Sequence, residues 1–581
     1  MRKGFKQRAG LALFLATSVA LTACNSGAPS DSGAAPGGST EPGGAAGGSN
    51  EPVTLQMFAL TSDRSGVQEG WWPDILEKEV GVKLDIIPTG DQGLQKLQAL
   101  MAGGELPDIV ILTQQKQVED AVKADMLVNL DEHLDKLPNV VKHAEQALQF
   151  YRDTASNGTG KAYAIPTEVG PIPQAKDFNY GPYSRWDLYK QLGMPEVNTL
   201  EDYLPLLKRM QELEPTNKDG QKTYGFTLWK EWDGSTMYLA SGMSNLIGYD
   251  SGDKVGETLP FMELNFMTGE TKSILAPDSQ YIRALKFFYQ ANQMGLVDPD
   301  SLTQRFDNAR EKFAQGRILF APQSWLGFDY NTADRTEADP PSGFRPVLSK
   351  ESKVTNDADS KIGTTWAFAI GKNTRNLDAA LRYIDFMYSV EGSSLRGNGP
   401  KGTLWDVNDK GEPYITDAGW DIINNNKDMP GGGKLGDSNG MISAVPISGA
   451  TINPEFNLPL QMNFWPSTLA YKPSKLDKDW QDTTGFTTAT EMITKGNYFV
   501  TIPEAVKTIP TLPDDMVTIK QRVGDVVKTQ SWLAVFAKDE AEFQKHVDEM
   551  IRKAEGLGVQ QLLDWDQEAW KQAQEIVKKY Q

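Results

Sequence analysis

The fold is decided by a stretch that begins with Val53-Thr-Leu-Gln-Met-Phe-Ala-Leu60, an alternating run rich in β-forming residues. Short links join it to a helical pattern at 72–80, a strand at 82–88, a helix at 93–102 and a strand at 108–112. Strands that alternate with helices in this way predict an α/β fold with a parallel sheet covered by helices on both faces. Ligands bind beyond the carboxyl ends of such strands, which lie here near residues 60–64 and 113–115.

The rest of the chain continues in the same style. We expect strands at 162–166, 223–229, 318–322 and 363–370, and helices at 183–192, 200–214, 279–294, 305–315 and 377–388. The polar, glycine-rich interval 424–443 predicts a long surface loop, and residues 540–581 predict helices with a break at Gly556 and Gly558.

A secretion signal precedes this fold. Four basic residues between Arg2 and Arg8 stand before an apolar run at 11–19 that is too short to span a bilayer. Leu21-Thr-Ala-Cys24 resembles the lipobox of bacterial lipoproteins, whose cysteine receives a diacylglyceryl group and becomes the first residue after cleavage. The sequence therefore predicts a lipoprotein signal peptide at 1–23 and a lipid on Cys24. The alternative is an ordinary secretory peptide with a chance cysteine.

Composition limits what the rest can be. Residues 24–52 are the lipidated cysteine and a Gly-, Ser- and Pro-rich segment with no apolar surface to bury, which predicts a disordered tether. Cys24 is the only cysteine in 581 residues, so no disulfide can form within the chain. The formal net charge is −19, and the predicted cleavage removes four basic and no acidic side chains. So acidic a surface repels nucleic acid and anionic lipid.

A set of short stretches gives the chain a family resemblance. Together with the lipobox, their order and spacing resemble the family-1 extracellular solute-binding proteins of ABC importers, and among them the large oligosaccharide-binding lipoproteins of Gram-positive bacteria. The stretches are Leu97-Gln-Ala-Leu-Met-Ala-Gly-Gly-Glu-Leu-Pro-Asp-Ile-Val110, Gly160-Lys-Ala-Tyr-Ala-Ile-Pro166, Leu192-Gly-Met-Pro-Glu-Val-Asn-Thr-Leu-Glu-Asp-Tyr203, Ala284-Leu-Lys-Phe-Phe288, Gly295-Leu-Val-Asp-Pro299, Ala380-Leu-Arg-Tyr-Ile-Asp-Phe-Met-Tyr-Ser-Val-Glu-Gly392 and Gly556-Leu-Gly-Val-Gln-Gln561.

The resemblance implies a two-lobed, periplasmic-binding-protein-like fold of type II with the ligand cleft between the lobes. Hinge strands near 165–168 and 363–369 would join the lobes. Lobe 1 would begin with 53–165, lobe 2 would hold 166–362, and 363–581 would return to lobe 1 and end in helices whose lobe stays open. Relatives often carry an Asp-rich calcium loop, where this chain has Glu214-Pro-Thr-Asn-Lys-Asp-Gly-Gln-Lys222. Because two ligand positions are lysines, we predict no calcium here. We also expect no other metal site and no cofactor.

A sugar site needs an aromatic platform and polar groups at its edge, because a sugar has an apolar face and a rim of hydroxyls. Candidates follow predicted strands or lie at the expected hinge and cleft edges. For each tryptophan the alternative is packing in the core, and for each polar residue it is a solvated loop. The candidates are Asp63, Arg64, Gln114, Glu168, Tyr183, Arg185, Trp229, Trp232, Asp233, Trp325, Trp366 and Trp405.

Enzyme chemistry has little support in the sequence. The three histidines lack the spacing of metal ligands, and no nucleophile elbow or phosphate-binding loop occurs. The main prediction is a monomeric receptor, lipid-anchored on the extracellular face of the cell membrane, that delivers an oligosaccharide or glycan fragment to an ABC permease. One alternative is a secreted glycoside-active enzyme or polysaccharide lyase, since carboxylate pairs cannot be excluded by counting. Another is a peptide-binding or sensor-coupled receptor of the same fold.

Overall fold

The computed structural model describes residues 51–60, 62, 64–88, 93–171, 176–252, 258–357, 360–442 and 444–580. The predicted signal peptide, Cys24 and almost all of the predicted tether lie outside these residues, as does Asp63. From Pro52 onward the chain forms one compact unit. No helix within the described residues is long and apolar enough to cross a membrane.

Strands and helices alternate along most of the chain. The strands are β1 (Val53–Ala59), β2 (Gly66–Val67), β3 (Val82–Ile86), β4 (Ile109–Leu112), β5 (Ala164–Pro166), β6 (Tyr180–Arg185), β7 (Tyr249–Asp250), β8 (Met262–Asn265), β9 (Thr271–Ser273), β10 (Phe320–Gln323), β11 (Phe344–Pro346), β12 (Val354–Asp357), β13 (Ala367–Ile370), β14 (Trp405–Val407), β15 (Pro413–Ile415), β16 (Ile452–Asn453), β17 (Leu458–Pro459) and β18 (Phe499–Ile502).

The α-helices are α1 (Trp71–Val80), α2 (Gly93–Ala102), α3 (Gln115–Lys123), α4 (Pro138–Thr154), α5 (Trp186–Gln191), α6 (Tyr203–Leu213), α7 (Tyr238–Asn245), α8 (Gln280–Gln293), α9 (Phe306–Ala314), α10 (Ser324–Phe328), α11 (Ala333–Thr336), α12 (Leu377–Met387), α13 (Val390–Asn398), α14 (Asp417–Asn424), α15 (Asp437–Gly440), α16 (Pro466–Leu469), α17 (Lys475–Thr484), α18 (Ala489–Lys495), α19 (Asp514–Val535), α20 (Glu540–Gly556) and α21 (Val559–Val577). Short 3-10 helices cover Leu130–Glu132, Leu134–Lys136, Pro299–Leu302, Met462–Phe464 and Glu504–Thr508.

The first sheet has the strand order β2-β3-β1-β4-β13-β5. The prediction of a parallel sheet is confirmed for β1, β3 and β4, in which Met57 lies opposite both Ile86 and Ile109. β13 runs antiparallel between β4 and β5, with Ala367 opposite Leu112 and Pro166. All four residues of β4 are buried, because helices cover both faces of the sheet.

Two lobes divide the buried core. The first lobe buries residues between Leu55 and Val169 and between Ile362 and Trp465, on the two faces of the first sheet. The second lobe buries residues between Phe178 and Val354 and between Leu476 and Val577, around the antiparallel sheet β10-β6-β11. The C-terminal helices α19, α20 and α21 therefore pack in the second lobe. Tyr580, just beyond α21, packs in the first lobe.

Three connections join the lobes. The first leaves β5 and enters β6, the second runs from β12 to β13, and the third links α16 to α17. The first two pair with each other, since Thr167 N donates to Trp366 O (2.9 Å) and Thr364 N donates to Thr167 O (2.9 Å). Gly363 has φ +76°, and a Cβ there would lie 2.6 Å from Cβ of Pro166. Only glycine fits this crossing without displacing the neighbouring strand.

Some local predictions are wrong. Residues 183–192 were expected to be one helix, but strand β6 runs through Arg185 and α5 covers only the remainder, because β6 pairs with both β10 and β11. The expected strand at 223–229 pairs only through isolated bridges, Tyr224 with Ile318 and Phe226 with Val297. The interval 424–443 contains α15, and Gly432 O accepts from Trp71 N at the start of α1 (3.1 Å). The helices at 540–581 and their break are confirmed.

Candidate functional site: an aromatic platform and a polar edge

Four predicted site residues lie at the carboxyl edge of the first sheet, which we call the polar edge: Arg64, Gln114, Glu168 and Trp366. Arg64 follows β1 and its Nη2 donates to Asp437 Oδ1 (2.6 Å) in α15. Gln114 is exposed directly before α3, which begins just after β4. Nearby, Thr365 Oγ1 donates to Thr113 O (3.0 Å), which ties the start of β13 to the end of β4.

Glu168 and Trp366 belong to the paired connections between the lobes. Glu168 is exposed and has φ +56°, a left-handed backbone conformation that residues other than glycine seldom adopt. Its backbone N donates to Val445 O (2.6 Å), so a third segment of the first lobe braces this crossing. Trp366 is half-buried and packs on the core of the first lobe. Both residues could contact a ligand held between the lobes.

Five rings of the second lobe form one cluster, which we call the aromatic platform: Trp229, Trp232, Tyr238, Phe306 and Trp325. Trp232 is central, with its ring centroid 4.3 Å from that of Phe306, 5.1 Å from Trp229, 5.3 Å from Tyr238 and 6.1 Å from Trp325. Trp229 is fully buried, whereas the other four rings are half-buried. The platform therefore offers aromatic surface that is already held in place by ring contacts.

Strand ends and helix starts explain why these rings meet. Trp229 and Trp232 follow the run 223–228, which pairs in parallel with the segment leading into β10. Trp325 follows β10, and Tyr238 and Phe306 are the first residues of α7 and α9. Gln323, at the end of β10, lies opposite Tyr180, where the first connection enters the second lobe. The platform thus occupies the end of the second lobe nearest the connections, as the polar edge does in the first.

Asp233 supports the platform. Its Oδ1 accepts from Tyr238 N (3.0 Å) and its Oδ2 accepts from Trp532 Nε1 (2.7 Å). Burial raises the pKa of this carboxyl above its ordinary value, although the two donors act in the opposite direction. Since both oxygens hold protein donors, Asp233 fixes the loop after Trp232 and the start of α7.

Three other candidates are engaged in packing, which corrects their expected role as ligand contacts. Tyr183 is fully buried, and its hydroxyl donates to Phe178 O (2.7 Å). Arg185 is 2% exposed and donates to the carboxylates of Asp187 and Glu214 at 2.7–2.9 Å. Trp405 is 8% exposed and its Nε1 donates to Gly399 O (3.0 Å). In this structure none of the three offers a free polar group to a cleft.

Internal hydrogen bonds organise the loop at 214–222. The Asn217 side-chain oxygen accepts from the backbone N of Asp219 and Gln221, and Glu214 is held by Arg185. No group of three or more His, Cys, Asp or Glu residues that could hold a metal occurs in the described part of the chain. The absence of calcium dependence remains a prediction.

Sequence reasoning missed Tyr238 and Phe306. Each is an aromatic residue at the first position of a helix that directly follows a loop, and this position was the available signal. The α7 helix itself was not predicted, because its sequence, Tyr238-Leu-Ala-Ser-Gly-Met-Ser-Asn245, contains a glycine and two serines that weaken a helical pattern. Besides the ring contacts, Tyr238 is held by hydrogen bonds with Asp233 and Gln323.

One family model matches more than half of the chain. A family model described as bacterial extracellular solute-binding protein matches residues 59–393. Lipoprotein LipO of Bacillus subtilis (strain 168) is 23% identical over 350 residues, which are 58% of this chain and 64% of that protein. The matched region thus spans less than two thirds of this relative.

Solved structures share the fold over most of the chain. The Streptococcus pneumoniae ABC-transporter substrate binding protein FusA, in complex with kestose, has a TM-score of 0.60 and 16% identity, and covers 90% of this chain and 99% of its own. A solute-binding protein of Bifidobacterium longum infantis, described as HMO binding and associated with an ABC transporter, has a TM-score of 0.58 and 17% identity, and covers 89% and 98%.

Proposed function

This chain belongs to the family of bacterial extracellular solute-binding proteins, and we propose that it is the substrate-binding lipoprotein of an ABC importer for an oligosaccharide or glycan fragment. It works as a monomer, takes the sugar between its two lobes and delivers it to the permease subunits in the membrane. It performs no chemistry on the sugar. The described residues offer an aromatic surface held by ring contacts, which supports non-covalent binding of a sugar.

The aromatic platform carries this proposal. Trp232, Phe306 and Trp325 present half-buried rings at the end of the second lobe that adjoins the connections. An aromatic ring matches the apolar face of a sugar, while charged and amide groups match its hydroxyls. The polar edge of the first lobe supplies such groups through Arg64, Gln114 and Glu168. A sugar between the lobes would rest on the platform and bond to the polar edge.

Because the proposed sugar contacts are divided between the two lobes, binding would close the lobes over the sugar. A ligand that touches both lobes gains its full set of contacts only when the lobes are closed, so binding shifts the population toward the closed state. The paired connections around Thr167 and Trp366 are the segments about which the lobes would turn. The permease then distinguishes the loaded receptor by the closed arrangement of its surface.

The N-terminal segment supplies the attachment to the membrane. The proposed lipid on Cys24 holds the receptor on the extracellular face, and residues 25–52 let the lobes move away from the bilayer. The lipobox-like Leu21-Thr-Ala-Cys24 and the similarity to a protein named lipoprotein support this part of the proposal. Labelling cells with a fatty-acid analogue should mark the wild-type protein, and Cys24→Ala should abolish the label.

A fluorescence titration tests the proposed cargo. The chain from Pro52 onward is titrated with a panel of plant and microbial oligosaccharides while tryptophan emission is recorded, and the sugar is analysed afterwards. We expect saturation at micromolar ligand, about −8 kcal/mol of binding, and recovery of the sugar intact. Cleaved sugar would move the assignment to a glycoside-active enzyme. Silence across the panel would move it to a peptide or sensor ligand.

A further inference from the structure

A buried ammonium group lies in the helix that carries one ring of the aromatic platform. Lys312 belongs to α9 and is 7% exposed. Its Nζ donates to Asp298 Oδ2 (2.5 Å), to Asp300 Oδ2 (2.8 Å) and to Gln304 Oε1 (2.7 Å). An ammonium group has three donors, so these contacts use all of them. Lysine is seldom buried unless it is paired, and here every partner belongs to the segment 298–304.

The same segment is bonded to the chain directly before Trp229. Gln304 Nε2 donates to Leu228 O (2.7 Å), and Ser301 Oγ accepts from Leu228 N (2.9 Å). Both backbone polar atoms of Leu228 are therefore bonded to side chains of segment 298–304. The segment thus fixes the backbone from which the Trp229 side chain extends.

The segment also leads into the second ring of the platform. Gln304 stands two residues before Phe306, which is the first residue of α9. The ring centroid of Phe306 lies 5.3 Å from that of Trp229 and 4.3 Å from that of Trp232. The segment therefore joins two parts of the chain whose rings meet in the platform. Lys312, further along α9, ties the helix back to this segment.

No other cation takes the place of this ammonium group. Asp298 is fully buried, and its carboxylate also accepts from Thr227 Oγ1 (3.0 Å) and from Asp300 N (3.2 Å), which are neutral donors. Within the described residues, Lys312 is the only cation that forms an ion pair with Asp298. Its hydrogen bond and charge also hold the pKa of the Asp300 carboxyl below the ordinary value. Without the ammonium group, Asp298 would have to take up a proton or move toward water, and either change alters the bonds that hold the segment.

We propose that Lys312 is a positioning residue of the sugar site. Its ammonium group holds segment 298–304 against α9, and the segment holds Trp229 and Phe306 in the arrangement on which the proposed sugar contacts depend. Lys312 does not touch the sugar, since it is buried and its three donors are in use. This proposal rests on the proposed function, because the platform is the surface on which the sugar would lie.

The effect of Lys312 on affinity distinguishes positioning from stability. A positioning role acts through the ring of Phe306, so the effect on affinity should vanish once that ring is removed. A role in stability alone leaves the affinity of the folded protein unchanged. A general loosening of the lobe gives a loss of affinity that adds to the loss caused by removing the ring.

Two variants interrupt the network in different places. Lys312→Met removes the ammonium group and keeps an unbranched side chain, whereas Gln304→Met breaks the link without changing the net charge. Lys208→Met is the matched control, because Lys208 is a half-buried lysine of the same lobe whose Nζ donates to Gln211 Oε1 (3.0 Å) and Met294 O (3.1 Å). Isothermal titration calorimetry measures the affinity for the panel oligosaccharide that wild type binds most tightly. Urea denaturation confirms that each variant is folded under the same conditions.

We expect Lys312→Met to weaken sugar binding about tenfold, Gln304→Met about fivefold and Lys208→Met less than twofold. In a Phe306→Ala background, Lys312→Met should change the affinity by less than about twofold. The near-UV circular dichroism of the sugar-free protein should change in Lys312→Met and stay unchanged in Lys208→Met. The reason is that the Trp229 and Trp232 rings, whose centroids are 5.1 Å apart, would change their mutual orientation.

Each contrary result has a distinct meaning. Affinities within twofold of wild type in both Lys312→Met and Gln304→Met would overturn the positioning role and leave the proposed function standing. A full loss in the Phe306→Ala background would also overturn it, since Lys312 would then act on the whole lobe. If Lys312→Met does not fold, Gln304→Met decides by the same comparisons. Failure of every oligosaccharide to bind wild type would overturn the proposed function, and unchanged near-UV spectra would then overturn the positioning of the rings as well.

Discussion

The two surfaces that adjoin the connections are built in opposite ways. The aromatic platform of the second lobe comes from one continuous region, 229–325, and its rings hold one another. The polar edge of the first lobe depends on remote segments: Arg64 is held by Asp437, and Glu168 N by Val445 O. The platform rings contact one another directly and receive one remote support, from Trp532 through Asp233, whereas two residues of the polar edge are each held by a remote segment. Substitutions beneath the lobe surface should therefore change stability, whereas substitutions at the platform or the polar edge should change the affinity for sugar.

The largest expected effect is on the stability of the second lobe. Arg185→Met removes the guanidinium that joins Asp187 and Glu214 and leaves two partly buried carboxylates without their cation. We expect the free energy of unfolding to fall by about 3 kcal/mol, measured by urea denaturation. The affinity of the folded protein for sugar should stay within twofold, because Arg185 lies beneath the lobe surface.

Lys350→Met is the matched control for Arg185. Lys350 forms an ion pair with Glu196 in the same lobe, and both side chains are more than 60% exposed. Exposed pairs contribute little, so the unfolding midpoint should not move measurably. If Arg185→Met left stability intact and abolished binding, Arg185 would contact the ligand. The distinction between its buried ion pairs and the ligand-binding platform would then be wrong.

The next effect is on affinity at the platform. Trp232→Ala removes the ring that touches the other four members of the cluster, and we expect sugar affinity to fall about 30-fold, or about 2 kcal/mol. Trp565→Ala is the control, because Trp565 is a half-buried tryptophan of the same lobe on α21 and outside the cluster. Isothermal titration calorimetry measures both. Equal losses in the two variants would show a general effect on the lobe instead of a contact with sugar.

A smaller effect is expected at the polar edge. Arg64→Ala should weaken sugar binding about fivefold, close to the 1 kcal/mol of one hydrogen bond. Asp437→Asn keeps Arg64 and weakens its ion pair, so it distinguishes two roles. If Arg64 contacts the sugar, Asp437→Asn should change affinity less than Arg64→Ala does. If Arg64 acts only by anchoring α15, the two variants should lose affinity equally.

The first strands and helices and the parallel pairing of β1, β3 and β4 could be predicted because their signals are local. β1, β3 and β4 are apolar runs separated by helices and glycine breaks, and each reads correctly from its own residues. The error at 183–192 arose from tertiary pairing, since Tyr183 lies between Ala321 of β10 and Pro346 of β11 in the structure. These partners lie more than a hundred residues away, so no local sequence pattern predicts the pairing.

The candidate site could be predicted only in part. Trp229, Trp232 and Trp325 follow predicted strands, and the rule that ligands bind beyond the ends of strands identifies them as candidates. Tyr183 and Arg185 are candidates because they follow the expected hinge crossing, and that position does not reveal their burial, which depends on β10, β11 and Tyr330 packing over β6. A small cavity lined by Trp229 could not be predicted, since it is formed by gaps among residues from six separate segments.

The smallest expected effect concerns the contact that the C-terminus makes between the lobes. Tyr580 follows α21 of the second lobe, but its ring packs edge-on against Phe150 and its hydroxyl donates to Asp153 Oδ2 (2.5 Å), both in α4 of the first lobe. Tyr580→Phe keeps the ring and removes the hydrogen bond. Because Asp153 is exposed, we expect the free energy of unfolding to fall by only about 0.5–1 kcal/mol in urea denaturation.

The affinity of Tyr580→Phe for sugar shows whether the Tyr580–Asp153 contact changes when the lobes close. The neighbouring Tyr151 donates to Thr365 O (3.3 Å) beside the second connection, so the contact lies close to the segments about which the lobes would turn. A contact near the axis stays made in the open and closed states, and sugar affinity should therefore remain within twofold. A larger change would mean that closure makes or breaks the Tyr580–Asp153 bond. The Tyr580 contact would then resemble the polar edge, because both would be parts of the first lobe's surface that depend on remote segments of the chain.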